Sequence, residues 1–232
     1  MKIFIEGEKI EGYFVERVNR FIAKVLIKDI VETVHVANTG RMRELLVPGA
    51  KVVLRYIDEP HRKTKYDLLM VYKGELLVSI DSRLPNTILA KAFKEETIPY
   101  FKGMTNVKRE VCFGKSKFDF SLTSREQSVL IEAKCVTLVK ENNVASFPDA
   151  PTERGQRHIL ELIEALEVGF RAAVIFIIQR GDGLYFTPNE EMDKAFAAAV
   201  VKAKAAGVEF YAYNTKVTRD YIELAEELKV II

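Results

Sequence analysis

The run RAAVIFIIQR, residues 171–180, limits the possible folds more than any other part of the chain. Its apolar stretch is too short to span a membrane. It also shows no alternation of polar and apolar residues, which marks a strand covered on both faces. The flanks fit that reading. A helix is predicted over about 152–168, with Ile159, Leu162, Ile163 and Leu166 at helical spacing. The alanine-rich NEEMDKAFAAAVVKAKAAG reads as a second helix ending at Gly207 as its C-cap. VEFYAYNTKV is another strand, and the amphipathic stretch TRDYIELAEEL closes the chain. Strand–helix–strand–helix–strand implies parallel pairing with right-handed crossovers.

The first eighty residues follow a different pattern. KIEGYFVERV, RFIAKVLIKD, VETVHVAN, AKVVLRYID, YDLLMVYK and ELLVSID are short, β-branched or aromatic, and separated by polar or glycine-bearing turns. TGRMRELLVPG reads as a short helix between the third and fourth strands. About five strands with a helix at that place predict an OB-type barrel, with an SH3-like or other small barrel as the competitor. After Ser82 the spacing changes. RLPNTILAKAFKEETI is predicted as a helix capped by Asn86 or Thr87, followed by strands in VKREVCFG, KSKFDFSLT and SVLIEAKCVTLV. The expected fold is therefore α+β with two domains: an OB-type β-barrel over 1–82 and an α/β domain with a mixed sheet over 83–232.

Composition narrows the function classes. Hydrophobic residues make up 48%, enough for a sizeable core, and 35 Lys and Arg nearly balance 33 Asp and Glu. A disordered tail and a strongly basic DNA-coating protein are both excluded, although a local basic patch would still suffice for nucleic acid. Cys112 and Cys135 lie in strand-like, apolar surroundings and read as small buried hydrophobes; no spacing suits a disulfide or a zinc site. MKIFIEGEKIEGYF lacks the apolar core of a signal peptide, and no run reaches membrane-spanning length. A soluble, cytoplasmic protein with no membrane partner is expected.

The chemistry lies in two neighbouring strands. In KSKFDFSLT, alternation places Phe118, Phe120 and Leu122 on one face and Lys117, Asp119 and Ser121 on the other. In VLIEAKC, Glu132 and Lys134 point the same way. If the strands pair through the SREQS turn, Asp119 faces Glu132 and Lys134 lies one pleat along. Two carboxylates brought together repel, and a divalent cation relieves that repulsion. Mg²⁺ suits one or two carboxylates because it keeps waters and leaves positions for phosphate oxygens. Asp119 and Glu132 are thus the candidate metal ligands, with Lys134 to orient water or phosphate, a set fit for phosphodiester hydrolysis. The competing reading is a structural Glu132–Lys134 pair on a solvated face, with Asp119 merely exposed.

FDF, IEAKCVTL and FPDAPTERGQRHILEL resemble the sugar fermentation stimulation protein A family, as do RFIAKVLI, HVANTGRMREL and VPGAKVVL in the first half. The resemblance covers almost the whole chain. Cys135, where the family often has asparagine or serine, and Ala37, which replaces a proline, depart from the pattern. The resemblance implies a DNA-binding protein linked to regulation of sugar metabolism. It further implies an N-terminal OB-type domain joined to a restriction-endonuclease-like domain of the PD-(D/E)xK type. It puts Asp119 in the place of the first acid, Glu132 of the second and Lys134 of the lysine. It also implies a glutamate from a preceding helix, with Glu95 and Glu96 as candidates, and a glutamine from a following one. Gln156 suits the latter, since it extends the inward face of its helix near the N-terminus, beside Gly155.

Other residues complete the expectation. Asp149 and Glu110 are further candidates for a third acidic ligand. Arg154, Arg157 and His158 are read on the outer side of their helix, the arginines as phosphate contacts and His158 as no metal ligand. In the barrel, Arg62, Lys63 and Lys65 of the DEPHRKTKYD loop, with Arg41 and Arg43, are candidate nucleic-acid contacts. The leading function is a DNA-binding protein with a Mg²⁺- or Mn²⁺-dependent nuclease-like site in which Asp119, Glu132, Lys134 and Gln156 carry the chemistry. A non-catalytic DNA-binding regulator with a nuclease fold is the alternative, and an RNA-processing enzyme is a third reading.

Overall fold

The computed structural model describes residues 1–104 and 106–232. The chain begins with β1 (Lys2–Phe4), then β2 (Lys9–Arg17), β3 (Ile22–Ile27), β4 (Ile30–Val36), β5 (Lys51–Tyr56), β6 (Tyr66–Lys73) and β7 (Leu76–Ser79). Strands β2 to β7 form one sheet in the order β4-β3-β2-β5-β6-β7, and β4 also pairs with β6, which closes the barrel. This is the OB-type barrel, filled by Phe14, Val25, Val34, Val52, Leu54 and Leu68. The helix expected in TGRMRELLVPG is instead a single turn, in which the Leu45 and Leu46 N–H groups both donate to the Met42 carbonyl. So short a segment, bounded by Gly40 and Pro48, cannot repay helix nucleation. It still delivers Met42 and Leu45 as buried plugs at the end of the barrel.

The rest of the chain builds a second sheet and three helices. These are α1 (Leu84–Lys94), β8 (Asn106–Phe113), β9 (Ser116–Thr123), β10 (Ser128–Val136), β11 (Val144–Phe147), α2 (Glu153–Glu167), β12 (Arg171–Ile178), β13 (Tyr185–Pro188), α3 (Lys194–Ala206), β14 (Glu209–Val217) and β15 (Tyr221–Val230). The sheet runs β11-β13-β15-β14-β12-β10-β9-β8. At its centre β10, β12 and β14 are parallel, while β8, β9 and β15 join antiparallel. Strand β12 feeds two cores: Ala172, Val174, Phe176 and Ile178 meet α2 and α3, while Ala173, Ile175 and Ile177 meet α1. The uninterrupted apolar run is thus covered on both faces.

Three expectations change. β1 pairs with β15, not with the barrel, because Ile3 and Ile5 pack into the core under α1. Arg83 stands at the N-cap of α1 without a side-chain cap bond, and neither Asn86 nor Thr87 caps the helix. Cys112 is exposed on the edge strand β8 and Cys135 is half-buried; both are free thiols. Among the described residues no helix is long and apolar enough to cross a membrane.

Candidate active site

The β9–β10 hairpin sets the site. Its ladder pairs Thr123 with Ser128 and continues to Phe120 opposite Ile131. There the strands part, and the Asp119 side chain takes over: its Oδ2 accepts the Ala133 N–H at 2.8 Å. The expected pleat of Phe118, Phe120 and Leu122 on one face fails at the same point. Phe118 lies in the core beneath α2, whereas Phe120 and Leu122 lie in the core beneath α1. On the neighbouring strand Glu110 stands at the same point, between the pairs Arg109–Phe120 and Val111–Phe118, with φ of 55°. A left-handed residue in a strand breaks alternation.

Glu132 is 4% exposed. Its Oε1 accepts from Lys134 Nζ at 2.5 Å and lies 2.6 Å from His158 Nδ1. Its Oε2 is buried and, among the described residues, meets no hydrogen-bond partner. Burial alone would push the Glu132 carboxyl up, but Lys134 and His158 outweigh it and hold the group below its usual range. Asp119 is the opposite case. Burial, and then the negative charge of Glu132, raise its carboxyl, although Ala133 N–H and Asn86 counteract them in part. Asn86 Nδ2, from the first turn of α1, donates to Asp119 Oδ1 at 2.7 Å.

The N-terminus of α2 supplies the other wall. Thr152 caps it by accepting the Gly155 N–H at 2.9 Å, and the Thr152 N–H is held by Asp193, the cap of α3. A side chain on Gly155 would meet the Thr152 side chain at 2.7 Å, so glycine leaves room for the cap itself. Arg154 and Arg157 are exposed as expected, and Gln156 is half-buried. His158 is not on the outer side: it is 2% exposed and points into the site. The sequence held a signal for this, since Gly155, His158, Ile159, Leu162 and Ala165 form one buried helical stripe.

Among the described residues no third acid joins the pair. Glu95 and Glu96 lie at the C-terminal end of α1, engaged with Lys91 and the Gly103 N–H, while Asn86 at the other end faces Asp119. Glu110 is exposed and paired with Lys117 at 2.6 Å. Asp149 sits at the domain junction, where its Oδ2 accepts the Met42 N–H at 3.1 Å. Among the described residues no three His, Cys, Asp or Glu side chains converge on one point.

Lys134 opens onto a cleft of about 1160 Å³ between barrel and sheet, into which Arg17, Arg20, Arg41, Arg43 and Arg154 also face. Arg17 clips the barrel loop by donating to the carbonyls of Asn38 and Gly40, each at 2.5 Å. The loop lies so close to the other domain that a side chain on Gly40 would meet Asp149 Oδ2 at 2.5 Å. Gly40→Ala should therefore break the Asp149–Met42 contact and cost about 1–3 kcal/mol in urea unfolding. Arg62, Lys63 and Lys65 do not line this cleft. Arg62 instead pairs with buried Asp67 at 2.5 Å, beside Arg55 at 2.9 Å and His35 at 3.2 Å.

Residues 15–80 match the family model for the SfsA N-terminal OB domain, and residues 83–221 match that for the sugar fermentation stimulation protein RE domain. The chain belongs to the sugar fermentation stimulation protein (SfsA) family. A sugar fermentation stimulation protein homolog of Alkaliphilus metalliredigens is 61% identical over 231 residues, covering 99% of this chain and 100% of the relative. One from Caldanaerobacter subterraneus subsp. tengcongensis is 46% identical over 230 residues, with 99% and 100% covered. The solved structure of SfsA from Pyrococcus furiosus, in complex with Ca²⁺, superposes with a TM-score of 0.92 at 32% identity, covering 100% of both chains. The SfsA architecture of OB barrel and mixed-sheet domain thus extends over this entire chain.

Proposed function

We propose that this SfsA-family protein hydrolyses phosphodiester bonds in DNA with Mg²⁺ or Mn²⁺ held by Asp119 and Glu132. The observation that carries the reading is Glu132 Oε2, a buried carboxylate oxygen beside Asp119 that meets no partner among the described residues. Such an atom is costly to bury unless something meets it. A hard cation beside it, shared with the raised carboxyl of Asp119, would meet it and relieve the repulsion between the two groups. Two carboxylates without a third ligand suit Mg²⁺, which keeps several waters. That the solved SfsA of Pyrococcus furiosus is a Ca²⁺ complex is consistent with an oxygen-rich cation site in the family.

The bound cation would polarise the scissile phosphate and acidify a water. Lys134 donates to Glu132 and lines the cleft, so its ammonium is placed to meet a phosphate oxygen or the attacking water. Asn86 and the Ala133 N–H keep Asp119 oriented. Arg41, Arg43 and Arg154 hold backbone phosphates along the cleft; Gln156, half-buried in the first turn of α2, does not line it, and its substrate-positioning role rests on the family resemblance alone. Replacing Arg41 or Arg43 by alanine should weaken DNA binding across sequences and lower the slope of log K against log salt by about 1 per residue, read by fluorescence anisotropy.

The test is incubation of the purified protein with single-stranded, duplex and branched DNA, and with RNA, in Mg²⁺ or Mn²⁺. Metal-dependent products that vanish in Lys134→Ala and Glu132→Ala support the reading. Products that survive both variants exclude this site as their source. One observation favours a second reading, a DNA-binding regulator without hydrolysis: the Lys134 ammonium is already spent neutralising Glu132. That reading predicts salt-sensitive binding and no products with any metal.

A further inference from the structure

A chain of hydrogen bonds runs from the cleft into the site. Arg154 Nε donates to His158 Nε2 at 3.3 Å, and His158 Nδ1 lies 2.6 Å from Glu132 Oε1. A guanidinium N–H is a donor only, so His158 Nε2 must accept. The ring proton is thereby fixed on Nδ1, from which it is donated to Glu132 Oε1. The same oxygen receives Lys134. With two donors on Oε1, the carboxylate cannot turn without breaking one of them, and Oε2 is left free.

The imidazole is itself immobile. It is 2% exposed and packs on Phe118 with ring centroids 5.5 Å apart. It rides on α2, whose N-terminus is fastened through Thr152 to Asp193. A histidine buried for packing alone would need only some partner for each ring nitrogen. Here one nitrogen is matched to the site carboxylate and the other to an arginine exposed on the cleft.

We infer that His158 is a positioning residue that pins Glu132 Oε1 and so presents Oε2 to the divalent cation, with Arg154 fixing the ring tautomer from the cleft side. This rests on the reading of Asp119 and Glu132 as a cation site. The arrangement corresponds to the hydrogen-bonded outer partners that orient metal ligands elsewhere, whose loss typically costs about 10- to 100-fold in metal affinity.

The experiment is calorimetric titration of Mn²⁺ into the full chain: wild type, His158→Leu and His158→Asn. Leucine fills much of the space without a donor, and asparagine restores an amide N–H near the place of Nδ1. His158→Leu should bind Mn²⁺ roughly 10- to 100-fold more weakly, and His158→Asn should recover most of that loss. Equal affinity in wild type and His158→Leu overturns the inference while leaving the cation site standing. A wild type that binds no Mn²⁺ overturns the cation site, and the inference with it. Should His158→Leu not fold, long-range ¹⁵N spectra of the wild-type imidazoles decide. A protonated Nδ1 and bare Nε2 on His158, shifting when Mg²⁺ is added, support the inference, and the opposite tautomer overturns it.

Discussion

Asp119→Asn should abolish cation binding and at the same time raise the melting temperature. Burial and the charge of Glu132 raise the Asp119 carboxyl, so its ionised form is a burden on the cation-free fold. A group raised in this way contributes stability that is full below the ordinary aspartate range, about 3.9, and is lost as pH rises through its folded value. Asparagine keeps an oxygen for the Ala133 N–H and removes the charge, and its amide N–H is met once the Asn86 amide turns over to present its oxygen. A gain on the order of 1 kcal/mol would appear as about 2–4 °C in a thermal melt. The loss in Mn²⁺ affinity should be at least about 100-fold by calorimetry, since one of only two carboxylates is gone. Glu132→Gln should lose binding to a similar degree but lower stability, because Glu132 is the shared partner of Lys134 and His158. Removing one member of such a buried set costs about 3–5 kcal/mol. Opposite signs in stability with the same loss of binding would show two cation ligands in opposite settings, Asp119 strained by burial and Glu132 held by Lys134 and His158.

The largest effect outside the site is expected at Asp67. Its carboxylate is 2% exposed and gathers Arg55, Arg62 and His35 at the seam where β4 meets β6. Burial alone would raise it, but Arg62 and Arg55, with His35, outweigh burial and hold it below its usual range. Asp67→Ala should destabilise the protein by about 2–3 kcal/mol, under the usual cost of breaking a buried pair because both arginines reach solvent. The sign with pH follows. A depressed carboxyl contributes stability above the ordinary aspartate range, lost as pH falls through its folded value. Urea unfolding at neutral pH and below about pH 3 should therefore show the wild-type advantage over Asp67→Ala shrinking in acid.

Much of this was legible in the chain. The seven apolar residues of β12 could only become a strand with two covered faces, and they fixed the middle of the second domain. The alternation in VLIEAKC put Glu132 and Lys134 on one side, and the turn before it brought Asp119 near. What could not be read were features set by long-range contacts. Nothing local in KREVC announces that Glu110 adopts φ of 55° where the faces of β8 and β9 flip. Three residues at the N-terminus are too few to reveal that β1 belongs to the distant β15. Whether α1 presents Asn86 or Glu95 to the site depends on which end of the helix meets the sheet, and composition cannot supply that. His158 was readable by spacing, yet its neighbours Arg154 and Arg157 made the surface seem continuous.

The cation site is tested most directly by crystals of the protein grown or soaked in Mn²⁺ and measured for anomalous scattering. A peak is expected about 2.1 Å from Glu132 Oε2, shared with an Asp119 oxygen, while Oε1 stays with His158. A peak that avoids Glu132, or no peak between the two carboxylates at saturating Mn²⁺, would contradict it.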